Sequence, residues 1–176
     1  MYFIYHCYGG THTSAIAAAI HLNQIPSNRI PTKQAFKNIY LFNKLSSMDM
    51  GHIVYHGTDE LGNKVFTLGR GTSKALIPSL QHLYAMLQKD HPAMEKIIFS
   101  NTSPTVPLIM TIGGFIAKAL KWNAVGEPLL LIGAGQAFLN IAGLVENTKE
   151  MSKNMQSNNI VLQNKQIHKG NYKLKR

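Results

Sequence analysis

Tyr2 to Tyr5 form an apolar, aromatic and β-branched run with no polar position between them. A run without alternation predicts a central parallel strand covered on both faces. A loop from His6 to His12 follows, and Thr13 to Leu22 then predicts a helix. Ala15 to Ala19 are strong helix formers there, and Ile16, Ala19 and Ile20 share one face. Asn23 to Pro31 breaks the pattern, and Thr32 predicts an N-cap for a short helix to about Asn38. Leu41 to Gly51 is poorly patterned, either short helix or loop.

His52 to His56 and Lys64 to Leu68 are β-rich runs separated by Gly57 to Asn63, which predicts a hairpin with a long loop, ended by Gly69-Arg70-Gly71. Ser73 to Lys89 carries the helical stripe Leu76, Leu80, Leu83, Tyr84 and Leu87, with Pro78 marking a kink or the true start. Lys96 to Ser100 predicts a strand, Thr105 to Leu120 a helix, Pro128 to Ile132 a third core strand, and Gln136 to about Met151 a last helix. Strands alternating with helices predict an α/β fold, a three-layer arrangement with a mostly parallel sheet, helices on both faces and a β-hairpin insertion. Residues 1–150 are expected to form one domain, and residues 151–176 a basic, disordered tail.

Composition narrows the setting. The chain has 176 residues, 45% hydrophobic and 15% charged, with a formal net charge of +10. Lys153, Lys165, Lys169, Lys173, Lys175 and Arg176 place about half of that excess in the tail. A lone cysteine cannot form an internal disulfide, so a reduced, cytoplasmic setting is expected. His6, Cys7, Gly9 and Gly10 interrupt the apolar N-terminus before a secretory segment forms. The next apolar stretch, Val106 to Leu120, contains Lys118 and two glycines and falls short of the roughly 20 residues a span needs, so no membrane association is expected. The tail has one aromatic, Tyr172, and no recognisable module, so nucleic acid is not expected as a partner either.

The candidate chemistry sits in His6-Cys7-Tyr8-Gly9-Gly10-Thr11-His12-Thr13-Ser14, which leaves a strand and enters a helix. Backbone N–H groups at such a junction point into the loop, and adjacent glycines permit the positive φ angles a cradle needs. A phosphate-sized dianion there would meet the amides from Tyr8, Gly9, Gly10 and Thr11 onward, the helix dipole, and the Thr13 and Ser14 hydroxyls. The same field stabilises a thiolate, so Cys7 is expected to be nucleophilic. His12 inside the loop offers an acid or a cationic donor, and His6 lies beside the sulfur in sequence. The plain alternative is an inert packed cysteine on a tight turn.

The spacing Cys-x-x-Gly-x-x-Thr-Ser, at Cys7, Gly10, Thr13 and Ser14, resembles the phosphocysteine loop of the IIB components of sugar phosphotransferase systems. It is also similar to the Cys-x5-Arg-Ser loop of low-molecular-weight protein tyrosine phosphatases, a likeness that Ile16, Ala17 and Ala19 continue into the helix. Thr13 stands where that phosphatase loop has arginine, so the bidentate clamp on the phosphoryl oxygens is missing. Losing such stabilisation costs on the order of a hundredfold in rate. The IIB pattern needs no arginine there. From Tyr5 to about Glu146 the chain resembles a bacterial domain-of-unknown-function family, number 3189, of endospore-forming Gram-positives. The residues that carry this are His6 to His12, Ala17 to Leu22, Leu68-Gly69-Arg70 and Ile112 to Phe115. That resemblance implies no reaction.

Leu68 to Lys74 is a second strand-to-helix glycine turn, expected at the same sheet edge, from which Arg70 would supply the missing guanidinium. Asn101 and Thr102 follow a core strand at that edge and are further ligand candidates, although Asn-Thr-Ser-Pro is also an ordinary capping turn. Ile132-Gly133-Ala134-Gly135 is another glycine turn, but Phe138 occupies the third glycine position of a dinucleotide fingerprint. Among the loop acids, Glu127 is expected at the opposite sheet edge, and Asp59 and Glu60 at the hairpin tip. His52 and His56 on one strand would lie about 13 Å apart, so no metal or cofactor is expected.

The function expected from the residues is binding of phosphate, or of a phosphorylated small molecule or protein, at the Cys7 loop. Cys7 would carry the phosphoryl group in a phosphotransferase or atypical phosphatase. The alternative is a non-enzymatic regulatory or ligand-sensing module, within a sporulation programme if the family resemblance holds. A homo-oligomer is compatible with either.

Overall fold

The computed structural model describes residues 1–118 and 122–167. Five strands form one mixed sheet in the order β2-β3-β1-β4-β5, with β1 Tyr2–Cys7, β2 Ile53–Thr58, β3 Lys64–Gly69, β4 Ile97–Asn101 and β5 Asn159–Leu162. β1 runs parallel to β3 and β4, β4 runs parallel to β5, and β2 returns antiparallel on β3. The expected hairpin is therefore part of the sheet, because its second strand is a direct neighbour of β1. The helices are α1 Thr13–His21, α2 Lys33–Asn38, α3 Leu76–Asp90, α4 Leu108–Lys118 and α5 Asn123–Lys153.

Alternation along the strands divides the core. Phe3, Tyr5, Val65 and Ile98 pack in one cluster with α1 and with Leu130, Phe138, Ile141 and Leu144 of α5. Ile4, Leu68, Ile97 and Phe99 turn the other way and meet Ile77 and Tyr84 of α3. β1 is buried on both sides, as its unbroken apolar run implied. Thr32 caps α2 by accepting from Ala35 N at 3.2 Å. Pro78 is the third residue of α3 and marks a start rather than a kink, since the first-turn amides have no helical partner to lose.

Two expectations are corrected near the C-terminus. Pro128 to Ile132 is not a strand but lies inside α5, and Gly133-Ala134-Gly135 is helix rather than a turn at the sheet edge. Periodicity cannot separate a short apolar run from a buried helix. Here Leu130, Ala134, Ala137, Ile141, Leu144, Val145 and Thr148 are buried at helical intervals. Gly126 and Gly133 let α4 approach, for a Cβ on Gly126 would lie 2.5 Å from Ala117 N and one on Gly133 2.7 Å from Met110 Cβ. Ala124–Lys153 is long and apolar enough to cross a membrane, and 61% of its most apolar window is buried within the fold.

The segment expected to be a tail supplies the missing strand. β5 pairs from Ile97↔Asn159 to Ser100↔Leu162, and Asn164 and Ile167 are buried beyond it. Ile160-Val161-Leu162 is a short β-rich signal inside a polar segment, too brief to outweigh its surroundings without β4 beside it. The rest of the expected tail, residues 168–176, lies outside the described residues.

Candidate functional site

The register brings the expected residues to one edge. Cys7 ends β1 opposite Gly69, and His6 lies opposite both Leu68 and Asn101, so β1, β3 and β4 leave the sheet at the same level. In open α/β sheets this carboxyl edge is where loops converge on ligands. Three backbone bonds tie the exits together, Arg70 N donating to Cys7 O at 3.0 Å, Gly71 N to Tyr8 O at 2.9 Å and Thr102 N to His6 O at 2.8 Å. Glycine makes the approach possible. Gly10 has φ +68°, and a Cβ there would lie 2.5 Å from Gly69 N. Gly9 has no positive φ, so only one of the two adjacent glycines is needed for the turn.

Cys7 is 5% exposed. Its Sγ accepts from Gly10 N at 3.2 Å and lies 3.3 Å from Ser14 Oγ, so the loop and the first turn of α1 both close on the sulfur. Among the described residues, the amides of Gly9, Thr11, Thr13 and Ser14 donate to no protein acceptor. Thr13 and Ser14 are among the unpaired donors that a helix N-terminus leaves, and Gly9 and Thr11 belong to the loop before it.

The other loop side chains have structural partners. Thr11 Oγ1 donates to Leu41 O and accepts from Lys44 N at 3.1 Å and Leu45 N at 3.3 Å, pinning the 41–45 segment to the loop. Thr13 Oγ1 lies 2.9 Å from Thr102 Oγ1, joining α1 to the exit of β4. His12 is the N-cap of α1, with Nε2 3.1 Å from Asn43 Oδ1 and its ring edge-on to Phe42. The Tyr8 side chain is exposed.

A family model described as "Protein of unknown function (DUF3189)" matches residues 2–150. The chain belongs to this family. The DUF3189 match includes the Cys7 loop, the Arg70 turn and Asn101, and stops ahead of β5. No curated protein and no solved structure matches the chain.

Within this DUF3189 domain the Arg70 turn meets the Cys7 loop through the backbone, while the Arg70 guanidinium turns to the exit of β4, with Nη2 3.5 Å from Ser103 Oγ. Asn101 is engaged in the same turn, accepting from Ser103 N at 3.0 Å and donating to Gln163 Oε1 at 3.3 Å. Glu127 is not at a strand edge but in the first turns of α5, paired with Lys37. His56 bonds Thr67 Oγ1 at 2.9 Å.

His6 was the less conspicuous residue in the sequence. Its ring is buried on the Ile4 side of the sheet, and neither Nδ1 nor Nε2 has a hydrogen-bond partner. Burial, aided by the charge of Arg70, pushes its pKa down to about 3. Strand alternation alone sets it on the face opposite Cys7.

Sequence reasoning missed a buried polar chain on the Cys7 side. Tyr5 Oη lies 2.8 Å from His21 Nδ1, and His21 Nε2 lies 3.1 Å from Asp59 Oδ2 at the hairpin tip. On the same face Thr148 Oγ1 lies 2.8 Å from Ser100 Oγ, and Asn164 Nδ2 donates to both Ser100 Oγ and Asn101 O. The signal was two polar residues, Tyr5 and Ser100, inside otherwise apolar strands, which become informative only once their partners are placed.

Proposed function

We propose that the Cys7 loop binds the phosphoryl group of a phosphorylated small molecule or protein. The observation that carries this is the convergence of Gly10 N and Ser14 Oγ on Cys7 Sγ, beside the uncommitted amides of Gly9, Thr11, Thr13 and Ser14. Electrostatics favours an anion, since residues 1–48 contain no Asp or Glu at all. The oxygens of a bound phosphoryl group would take the amides and the α1 dipole. A shift of the Arg70 side chain from Ser103 would add a guanidinium.

In the covalent form of this reading, the Cys7 thiolate attacks phosphorus in line with the ester oxygen. The S–P bond forms as the P–O bond breaks, and the leaving alkoxide takes a proton from His12 or water. Water or an acceptor hydroxyl then attacks the phosphocysteine and returns the thiolate. The non-enzymatic reading, a module that senses a phosphorylated ligand, is favoured by Thr13, whose hydroxyl is held by Thr102 where the phosphatase loop has its arginine.

Alkylation tests the site. Iodoacetamide should label Cys7 faster at neutral pH than it labels a free thiol, and inorganic phosphate should protect it. Slow labelling without protection removes the proposal. Cys7→Ser that still binds phosphate, with no phosphocysteine trapped in the wild type, selects the sensing module.

A further inference from the structure

α4 is largely apolar, yet its most deeply buried residues line a single side. Met110, Gly113 and Ala117 face α5, with a Cβ on Gly113 falling 2.8 Å from Leu130 N. Leu108, Ile112 and Phe115, spaced i, i+4 and i+7, are 76%, 45% and 61% exposed. Helix geometry puts these three on one stripe turned away from α5. Trp122, the only tryptophan in the chain, is 59% exposed just before α5 begins. Single exposed apolar residues are ordinary, whereas a row of large ones marks a surface that docks.

Charge identifies what it docks on. Residues 97–126, which include α4, contain Lys118 and Lys121 and no acid. Residues 1–48, which supply α2 against α5, contain Arg29, Lys33, Lys37 and Lys44 and again no acid. Glu127, the acid nearest the stripe in sequence, is already paired with Lys37. An apolar helix stripe with Phe, Leu and Trp, set in a basic, acid-free segment, has the composition that seats on anionic lipid.

The expectation of no membrane association rests on Val106 to Leu120 being too short to span. Against it, we propose that α4 docks on an anionic lipid surface, lying in its plane with Leu108, Ile112, Phe115 and Trp122 inserted among the headgroups. At 11 residues, about 16 Å, the helix lies on a bilayer and does not cross it. A second copy of the chain fits this stripe less well. A standard protein interface takes roughly 20–30 residues a side, and a net charge of +10 on each copy opposes self-association.

The test uses the full chain with phosphatidylcholine vesicles, plain or containing phosphatidylglycerol. Co-flotation and a blue shift of Trp122 emission should appear with the anionic vesicles only and weaken as salt is raised. The double substitution Leu108→Glu, Phe115→Asp should lower the bound fraction at least about tenfold. Both residues are exposed, so the thermal midpoint should not move. The proposal is overturned by absence of flotation, by binding that the double variant leaves intact, which would assign it to basic charge alone, or by a dimer in solution that the same variant dissolves.

Discussion

Gly10 and Gly69 touch backbone to backbone, and this contact is what makes two separate glycine turns into one sheet edge. A Cβ on Gly10 would sit 2.5 Å from Gly69 N, and a Cβ on Gly69 would sit 2.9 Å from Gly9 C. Because the blocking atoms are main chain, neither turn can give way without disturbing the exit of β1.

Gly10→Ala should therefore be among the most costly single changes at the edge. It places a side chain at φ +68° and against Gly69, which together should cost at least about 2 kcal/mol. Chemical denaturation measures that loss. Cys7 alkylation should change with it, since Gly10 N is a donor to the sulfur.

Ser14→Ala removes the hydroxyl that lies 3.3 Å from Sγ without enlarging the side chain. The alkylation rate of Cys7 at neutral pH should drop several-fold, with the fold retained because the hydroxyl has only this partner among the hydrogen bonds described. An unchanged rate would mean that Ser14 only packs against the sulfur.

Thr11→Val keeps the shape of a residue that serves one carbonyl and two amides of the 41–45 segment. Buried polar groups left without partners cost about 1–3 kcal/mol. Hydrogen exchange at Lys44 and Leu45 should accelerate, and the thermal midpoint should fall. Leu41 and Asn43 already hold positive φ angles of 61° and 56°, so this segment depends on outside contacts to keep its shape.

Acid should destabilise the fold through its buried histidines. Burial, chiefly, lowers the pKa of His6 to about 3 and of His21 and His56 to about 4. The unfolded chain takes up those protons near 6.5, so it binds more protons than the native state between that value and about 4. The contribution is fully present above pH 6.5 and is lost as the pH falls toward 4 for His21 and His56 and toward 3 for His6, on the order of 1–3 kcal/mol per group. Asp59 adds in the same direction lower down. Although burial opposes it, hydrogen bonds from Asn63, His21 and Leu61 N hold its pKa at about 2, so its share is lost as the pH falls from 3.8 toward 2. Thermal melting at pH 7 and pH 4.5 should differ markedly, and His21→Gln should shrink the difference.

Much of the molecule was legible because its signals are local. Tyr2 to Tyr5, the hairpin around Gly57 to Asn63, the Thr32 cap and the stripe of α3 each depend on residues a few positions apart, and each element forms where its pattern stands. The Cys7 loop was legible for the same reason, since Cys7, Gly10 and Ser14 lie within one turn of chain. Arg70 was partly legible. Its turn reaches the correct edge, but a guanidinium on several rotatable bonds goes where its partners are, and that is Ser103.

What sequence alone determined here is the identity of the first strand, the loop, the helix after it and the hairpin, because backbone preference and hydrophobic period are properties of neighbouring residues. Only the tertiary structure decided that Pro128 to Ile132 coil into α5, that Ile160 to Leu162 extend as a fifth strand, and that Tyr5 meets His21 in a buried hydrogen bond. Each of those outcomes depends on a partner far along the chain, such as α4 against Gly126 and Gly133, β4 beside β5, or Tyr5 facing His21. A short apolar run is equally content in helix or strand until such a partner covers it.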